Sequence, residues 1–477
     1  MAFPSFIRSK IICTIGPASN TPETLDKMLN AGMDVARINM SHGSPEDHRP
    51  VIEYLREVGN CGILVDLPGP KIRLGDLSKP ITVEDGQSLH FTTEKTGKPD
   101  DLPVGYANLP SEIHAGGHLF INDGIIDLEV SEIDPDLRGF TAKVVSGGEI
   151  SSRKGINAPG AKLSIKPPTK KDLNCINFGV EMDCDWFAAS FIRSKADVEA
   201  VRSAILENGG DQPIVSKIEH GEAINNIAEV IEASDGVMVA RGDLGIEIPP
   251  WDVPLLQKKI IEACNLKGKP VIVATQMLES MMHNPRPTRA EASDVANALL
   301  DGADAVMLSG ETAIGKYPVE TVRAMNSIGW VVQEQITKRN QTGLKGLPLT
   351  DVIGDLASRA VEAVEPSAIL VVTRSGVSAL MVSKHRPKTS ILTVARDSRV
   401  SRRMHMYWGV RPIDVQWTDD RDELIIRAVQ RSLEQGFIAR HDVIEVVSGS
   451  TLIAPGLTTT LEILKVDDIL YRAGCRD

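Results

Sequence analysis

The chain has few cysteines, and none of them is spaced as a pair. Six cysteines are scattered through 477 residues without any Cys-x-x-Cys spacing. This scatter argues against a disulfide framework or a zinc site and is typical of reduced thiols. The chain also lacks an apolar run of membrane-spanning length, and residues 1–10 lack the apolar segment of a secretory leader. We therefore expect a soluble, cytoplasmic protein with no membrane partner.

An excess of basic residues is missing as well. The formal net charge is −12, so no broad positive field is available for nucleic acid and we expect no such partner. An anionic substrate must then be met by local lysines and arginines. The sequence has no repeat at solenoid period, and it is too long for a single hydrophobic core.

Eight short apolar runs alternate with helical patterns and predict the strands of a parallel barrel. A strand buried on both faces carries charge only at its ends, and several of these runs stop abruptly at charged residues. The predicted strands are Lys10–Gly16, Val35–Asn39, Gly62–Leu67, Trp186–Ser190, Pro213–Glu219, Gly236–Asp243, Pro270–Met277 and Ala305–Thr312. Eight is the number of strands that closes a (β/α)8 TIM barrel.

The alternation is interrupted within residues 71–165, where short β runs between Asp-Gly and Gly-Gly turns predict a small inserted β-barrel domain. An insertion after a barrel strand lies on the catalytic face, where it would act as a lid. The polar stretch Lys338–Leu349 is typical of a linker, and βα alternation resumes after it. The predicted fold is a TIM barrel of residues 1–70 and 166–340, the β lid domain of residues 71–165, and a C-terminal three-layer α/β domain of residues 350–477.

Charged side chains gather at the predicted strand ends, where the chemistry of such barrels collects. Lys217 and Glu219 end one strand, and Arg241 and Asp243 end the next. Two carboxylates and a lysine at one rim suit a divalent metal and an anionic substrate. Phosphoryl transfer needs this mixture of metal-binding oxygens and fixed positive charge.

Six motifs, in order along the chain, resemble the signatures of the pyruvate kinase family. They are Arg37-x-Asn39-x-Ser41-His42-Gly43, Gly69-Pro70-Lys71-Ile72-Arg73, Lys217-Ile218-Glu219, Met238 to Gly245, Ala274-Thr275-Gln276-Met277-Leu278 and Ser309-Gly310-Glu311-Thr312. The insertion and the C-terminal domain also match that family's layout. The resemblance implies transfer of the phosphoryl group of phosphoenolpyruvate to ADP, which gives pyruvate and ATP in the last step of glycolysis.

The resemblance also implies roles for individual residues. Glu219 and Asp243 would hold Mg²⁺, or Mn²⁺ in its place, with waters and substrate completing the coordination. Lys217 would stabilise the charge that develops on the phosphoryl group and the enolate oxygen. The alternative is a structural ion-pair network. Because Lys217 and Glu219 are two residues apart on a strand, they face the same side and can pair in the empty site.

Three more residues complete the implied substrate site. Arg37 would bind the substrate phosphate through its planar fork, and the backbone around Gly242 would receive the carboxylate. Thr275 would lie near the enolate carbon and relay a proton by way of water, since a hydroxyl alone is a poor acid. The alternatives are a salt bridge at the bottom of the barrel, a turn glycine and a strand hydroxyl with an ordinary hydrogen bond.

The implied nucleotide contacts are Asn39, His42, Arg73 and Lys154. Arg73 lies at the entry to the insertion and Lys154 near its end, so closing the lid would add positive charge over ADP and exclude water. The alternatives are ordinary surface charge and, for His42, a helix-capping role.

One position departs from the family pattern. Many members hold K⁺ with four oxygen-bearing residues, which here correspond to Asn39, Ser41, Asp66 and Leu67. Leucine has no side-chain oxygen, and Lys71 stands where a glutamate is frequent. The Lys71 ammonium would supply the missing charge, so we expect that K⁺ is not required. The alternative is that Lys71 pairs with Asp66 or Asp76.

The C-terminal domain contains a loop suited to a phosphate, because hydroxyls and free amides follow a predicted strand and open a helix. Its candidate effector residues are Thr373, Arg374, Ser375, Gly376 and Ser378. A second loop, from Ser448 to Thr460, would close on the same ligand. The resemblance implies a phosphorylated allosteric effector and a homotetramer, whereas the alternative is a pair of plain turns.

Two other functions fit parts of the sequence. Another Mg²⁺-dependent barrel enzyme acting on an enolate would explain the carboxylates and Lys217, but not the insertion, Lys154 or the C-terminal loop. A non-catalytic metabolite sensor would keep the C-terminal site and lose a charge at the barrel mouth, yet all of those charges are present.

Overall fold

The computed structural model describes residues 7–59, 61–94, 101–336, 347–449 and 458–472. Most of the expected linker, the tip of the second C-terminal loop (450–457) and Cys475 lie outside these residues. The chain forms two compact units. The first comprises Met1–Val65, Glu181–Phe187 and Ile261–Asp477, and the second comprises Asp66–Val180 and Ala188–Ile260.

The chain begins with alternating strands and helices, whose starts are set by local capping chemistry. Thr21 accepts a hydrogen bond from the backbone N–H of Thr24, and Pro22 occupies the first helical position. Ser44 precedes the 3₁₀ helix Pro45–His48, and its backbone N–H donates a hydrogen bond of 2.7 Å to Asp47 Oδ2. The elements are β1 (Lys10–Ile15), α1 (Pro22–Ala31), β2 (Val35–Asn39), α2 (Arg49–Val58) and β3 (Gly62–Asp66).

The insertion is an all-β region apart from one short helix. Its elements are β4 (Ile81–Val83), β5 (Ser88–Thr92), β6 (Asp101–Pro103), α3 (Leu109–Glu112), β7 (His118–Ile121), β8 (Ile126–Ile133), β9 (Gly139–Ser146), β10 (Gly148–Ile150) and β11 (Ile156–Asn157). Six of the strands form a sheet in the order β11-β7-β8-β9-β5-β6, and β4 pairs with β10. The alternating apolar side chains face one core, where Phe91 stacks on Phe140 at 4.9 Å between ring centroids.

Regular βα alternation returns after the insertion. Its elements are α4 (Lys170–Glu181), β12 (Trp186–Ala189), α5 (Lys195–Glu207), β13 (Ile214–Ile218), α6 (Gly221–Asn225), α7 (Ile227–Ala233), β14 (Gly236–Ala240), α8 (Arg241–Glu247), α9 (Val253–Lys267), β15 (Val271–Ala274), α10 (Arg289–Leu300), β16 (Ala305–Leu308), α11 (Gly310–Ala313) and α12 (Pro318–Val332). Two 3₁₀ helices, Glu279–Met282 and Gln333–Gln335, complete this part.

All eight predicted barrel strands are confirmed. They close a barrel in the order β1-β16-β15-β14-β13-β12-β3-β2. Several strands end earlier than predicted. The expected strand end at Arg241 to Asp243 is instead the first turn of α8, because the chain turns into a helix directly after Ala240.

The C-terminal domain has the predicted three layers. Its elements are α13 (Leu349–Val364), β17 (Ala368–Thr373), α14 (Val377–Lys384), β18 (Ser390–Ala395), α15 (Ser398–Arg403), a 3₁₀ helix (Met404–Met406), β19 (Val410–Pro412), α16 (Arg421–Glu434), β20 (Val443–Gly449), β21 (Thr458–Lys465) and α17 (Val466–Arg472). The sheet order is β19-β18-β17-β20-β21. Helices α13 and α14 pack on one face, and α16 and α17 pack on the other. The antiparallel strand β21 was not predicted, because its first residues were assigned to a loop.

Candidate active site

Lys217 lies near the carboxyl end of the buried strand β13, in the second unit, and contacts three oxygen-bearing side chains. Its Nζ is 2.8 Å from Glu219 Oε1 and 3.3 Å from Asp66 Oδ1. It also donates a hydrogen bond of 2.7 Å to Ser190 Oγ. Only 11% of the Lys217 side chain is exposed. The carboxylates of Glu219 and Asp66 compensate the positive charge of this buried ammonium, which would be costly to bury alone.

Glu219 is held from both sides. Its Oε2 accepts a hydrogen bond of 2.8 Å from the backbone N–H of Phe191, while Oε1 faces Lys217. Burial raises the pKa of the Glu219 carboxyl, the Lys217 ammonium opposes that rise, and the negative charge of Asp243 adds to it. The two carboxylates therefore lie close enough to repel each other, and a cation between them would relieve the repulsion.

Asp243 is in the first turn of α8 and pairs with Lys71. The distance from Lys71 Nζ to Asp243 Oδ1 is 2.7 Å, and Asp123 lies at 3.9 Å from the same nitrogen. The partners considered from the sequence, Asp66 and Asp76, contact Lys217 and Arg153 instead. Lys71 thus forms an ion pair with Asp243, one of the two predicted metal ligands.

The donor set fits a magnesium ion that keeps most of its own shell. Within the described residues, no three His, Cys, Asp or Glu side chains come together as a metal-binding group. Glu219 and Asp243 supply two carboxylates that repel each other, and Lys217 and Lys71 neutralise them. Mg²⁺ is commonly held by one or two carboxylates together with waters and substrate phosphate. The residues present therefore suit this ion.

The two predicted nucleotide contacts on the insertion are neighbours. The backbone N–H of Leu74 donates to the carbonyl oxygen of Lys154 at 2.9 Å. The exposed Arg73 guanidinium donates to the carbonyl oxygen of Arg153 at 3.1 Å. In the described part of the chain, the Lys154 side chain makes no ion pair. The backbones of Arg73 and Lys154 are therefore close, with the Arg73 side chain exposed and that of Lys154 half-buried.

Arg37 belongs to the first unit and is almost fully buried. It lies on β2 opposite Thr14 of β1. Its Nη1 donates a hydrogen bond of 2.8 Å to Thr14 Oγ1, which donates in turn to the carbonyl oxygen of Leu308. The guanidinium is thus held by a hydroxyl near the carboxyl ends of the strands.

Thr275 follows β15 in a conformation that is rare for a residue with a side chain. Its φ is 69°, and that of Gln276 is 54°. Two consecutive non-glycine residues with positive φ store strain, and such strain clusters at functional sites. The Thr275 hydroxyl donates to the carbonyl oxygen of Ala274 at 2.6 Å, so it has an ordinary partner as well.

The residues predicted after β2 form a compact turn. Asn39 Oδ1 accepts a hydrogen bond from the backbone N–H of Ser41 at 3.1 Å. His42 is exposed. The capping role considered for it is wrong, because Ser44 caps the 3₁₀ helix that follows.

In the candidate effector loop, Thr373 and Gly376 close a tight turn. The hydroxyl of Thr373 accepts from the backbone N–H of Gly376, which has φ 84° and precedes α14. Ser378 makes a hydrogen bond with Thr458, which begins β21. The exposed Arg374 lies 3.6 Å from Asp419. The two predicted loops are therefore in contact at Ser378.

Two residues gain importance only from the structure. Ser190 ends the predicted strand Trp186–Ser190, and its hydroxyl is a hydrogen-bond partner of Lys217. Glu247, which belongs to none of the six motifs by its own position, lies one helical turn after Asp243 on α8. Burial raises the pKa of Glu247 to about 7. The spacing of Asp243 and Glu247, which puts both on one helix face, was a signal in the sequence.

No helix in the described ranges has both the length and the apolar character that a membrane crossing requires.

The family model "Pyruvate kinase, barrel domain" matches residues 6–322, and "Pyruvate kinase, alpha/beta domain" matches residues 351–464. A pyruvate kinase of Bacillus licheniformis is 41% identical over 98% of this chain and 81% of its own length. A pyruvate kinase of Staphylococcus epidermidis is 41% identical over 97% and 81%. One of Sporosarcina psychrophila is 40% identical over 98% and 81%.

Proposed function

The chain belongs to the pyruvate kinase family, and we propose that Lys217, Glu219 and Asp243 of the second unit carry its transfer of a phosphoryl group from phosphoenolpyruvate to ADP. The observation that carries this assignment is the contact of the buried Lys217 ammonium with Glu219, Asp66 and Ser190. A lysine fixed in this way can turn to a phosphate or an enolate oxygen without first being desolvated.

The metal part of the proposal rests on the two repelling carboxylates. Glu219 and Asp243 would hold Mg²⁺ or Mn²⁺, which would neutralise charge on the transferring phosphoryl group. Lys217 and Lys71 would then exchange carboxylate contacts for contacts with substrate oxygens. The same group of residues would thus form both the ion pairs described above and the contacts of the reaction.

Arg37, Gly242 and Thr275 complete the proposed substrate contacts. The Arg37 fork would bind the phosphate, and the backbone at Gly242 in the first turn of α8 would bind the carboxylate. Thr275 would hold the water that delivers a proton to the enolate carbon. The strained backbone at Thr275 and Gln276 supports a role beyond an ordinary strand hydroxyl.

The nucleotide would be bound by the insertion and the turn after β2. Arg73 and Lys154, whose backbones are close, would supply two cations for the phosphates of ADP, and Asn39 and His42 would contact the nucleotide from the turn. The all-β insertion, residues 71–165, would act as a lid that excludes water from the transfer.

Lys71 would replace the monovalent cation. In the family pattern, four residues hold the cation, and here they correspond to Asn39, Ser41, Asp66 and Leu67, which has no side-chain oxygen. The Lys71 ammonium, 2.7 Å from Asp243, would supply the charge that K⁺ would bring. We therefore propose an enzyme that is active without K⁺.

The C-terminal loop would bind a phosphorylated effector. Thr373, Arg374, Ser375, Gly376 and Ser378 offer hydroxyls, backbone amides and one cation beside Thr458. We further propose a cytoplasmic homotetramer, which the family resemblance implies. Ultracentrifugation with and without sugar phosphates would test the assembly.

A lactate-dehydrogenase-coupled assay tests the reaction. Purified protein, stripped with chelator, is supplied with phosphoenolpyruvate, ADP and Mg²⁺ in buffer without K⁺. We expect pyruvate and ATP in equal amounts and no product without ADP. Pyruvate formed without ADP, or rearrangement of phosphoenolpyruvate without ATP, would instead indicate another enolate-handling barrel enzyme.

A further inference from the structure

Glu247 is a buried carboxylate in the second unit that has none of the roles proposed above. It is the last residue of α8, and its side chain is 4% exposed. Asp243 lies one turn earlier on the same helix, so the two side chains share a helix face. Burying a carboxylate beside a second one costs free energy unless hydrogen bonds or a cation compensate its charge.

Three chain segments converge on Glu247. Asn157 of β11 in the insertion points its Nδ2 at Glu247 Oε1, 3.4 Å away. The backbone N–H of Gly221 faces the same carboxylate and opposes the rise that burial causes in its pKa. His220, the residue after Glu219, places its Nε2 3.4 Å from Glu247 Oε2. The Glu247 side chain thus contacts the insertion and the segment after β13, and it belongs to the helix that carries Asp243.

The contact with His220 is only partly formed. His220 Nδ1 accepts a hydrogen bond from the backbone N–H of Glu222 at 3.1 Å, so the neutral ring carries its proton on Nε2. This donor faces Glu247 Oε2, yet neither atom has a hydrogen-bond partner in the described residues. A small shift of α8 or of the segment at His220 would complete the bond and remove two unsatisfied buried atoms.

We propose that Glu247 and Asn157 are positioning residues that link the inserted β domain to the two metal carboxylates. Through Asn157, Glu247 holds β11, and Lys154 shortly before it, near α8. Through Gly221 and its own helix, it fixes the segments that carry Glu219 and Asp243. Correct placement of the nucleotide-binding cations is thereby coupled to correct placement of the metal ligands.

The inference rests on the proposed function for the identity of the ligands, but the link itself is tested without turnover. Hydrogen–deuterium exchange is measured on the substrate-free protein, comparing wild type with Asn157→Ala and Glu247→Ala. We expect each variant to increase exchange both in β11 and in α8 by about tenfold. Faster exchange confined to the mutated segment would overturn the inference, as would unchanged exchange in both.

A reciprocal exchange of donor and acceptor separates positioning from general damage. Asn157→Asp sets two carboxylates against each other, and we expect the KM for ADP to rise about tenfold while that for phosphoenolpyruvate changes less than about twofold. Adding Glu247→Gln restores a donor facing an acceptor, so the double variant should recover to within about threefold of wild type. Glu199→Gln, an exposed carboxylate on α5, is the matched control.

The outcomes are distinct. Recovery in the double variant supports the link, whereas a double variant as poor as Asn157→Asp, or an equal change in both KM values, overturns it. Wild-type protein that does not convert phosphoenolpyruvate and ADP would refute the proposed function, and the exchange experiment would still decide whether the link exists.

Discussion

Two buried carboxylates of this protein are in contrasting surroundings. Glu219, in the second unit, accepts a hydrogen bond from the backbone of Phe191 and pairs with Lys217. Glu445, on β20 of the C-terminal domain, is fully buried, and neither of its oxygens has a hydrogen-bond partner in the described residues. Burial raises the pKa of both carboxyls, to about 7 for Glu445, but a lysine opposes the rise only at Glu219.

Glu219 thus has partners that compensate a negative charge, whereas Glu445 has no such partner in the described residues. A partnered carboxylate has a cation that compensates its negative charge and that can be exchanged for another cation during a reaction. An unpartnered carboxylate avoids ionisation by holding its proton, and it lowers stability wherever the solvent removes that proton. We therefore expect changes near Glu219 to affect turnover and changes at Glu445 to affect stability.

The largest effect is expected when Lys217, the partner of Glu219, is replaced. Lys217→Met keeps the length of the side chain but removes the charge that would stabilise the transferring phosphoryl group. We expect kcat to fall about a thousandfold with little change in secondary structure, measured by the coupled assay and circular dichroism. Lys259→Met, an exposed lysine on α9, should keep wild-type kcat. A Lys217→Met variant with a rate near that of wild type would remove the basis for the comparison.

The second prediction concerns Lys71, the other cation beside a proposed metal ligand. Lys71→Glu places a carboxylate near Asp243, so the rate in buffer free of K⁺ should fall about 10- to 100-fold and should recover partly when K⁺ is added. Wild type should show no more than a small K⁺ effect. Lys79→Glu, an exposed position on the insertion, controls for net charge. Large K⁺ stimulation of wild type would contradict the assignment.

Much of this arrangement follows from the sequence, because short apolar runs that end in charge identify barrel strands and their ends. Lys217, Glu219 and Asp66 are brought together because β3 and β13 both flank β12 in the barrel. The partner of Lys71 was not predictable, since it depends on how the chain turns into α8 after Ala240. Strand β21 escaped prediction because three threonines that follow a Ser/Gly-rich segment are equally typical of a loop.

The third prediction tests the unpartnered side of the comparison. Because the pKa of Glu445 is raised in the folded state, the folded protein binds this proton more tightly than the unfolded chain does. Stability is therefore full below the ordinary pKa of a glutamate and falls as pH rises toward about 7. Glu445→Gln should raise the free energy of unfolding at pH 8 by about 1–3 kcal/mol and change little near pH 4.5, as measured by urea denaturation.

An exposed glutamate on α13 provides the control for that experiment. Glu362→Gln should leave the free energy of unfolding unchanged at both pH values. Equal stabilisation by Glu445→Gln at both pH values would show that proton binding is not the cause.

The smallest expected effect is at the effector loop, where the only cation, Arg374, is exposed and near Asp419. Arg374→Ala should weaken activation by a phosphorylated sugar or AMP by about fivefold without changing kcat at saturating substrate. Arg440→Ala, an arginine elsewhere in the same domain, is the comparison variant. If wild type responds to no phosphorylated metabolite in cooperativity assays, the loop is a plain turn.

The central claim is that the partnered carboxylates Glu219 and Asp243 hold the metal of the phosphoryl-transfer reaction. Titration of Mn²⁺ into chelator-stripped wild type and Glu219→Gln, followed by electron paramagnetic resonance of the free ion, tests it most directly. We predict one site per chain in wild type and affinity weakened at least about tenfold in Glu219→Gln, with kcat falling in parallel. Equal Mn²⁺ affinity and equal turnover in the two proteins would contradict the account.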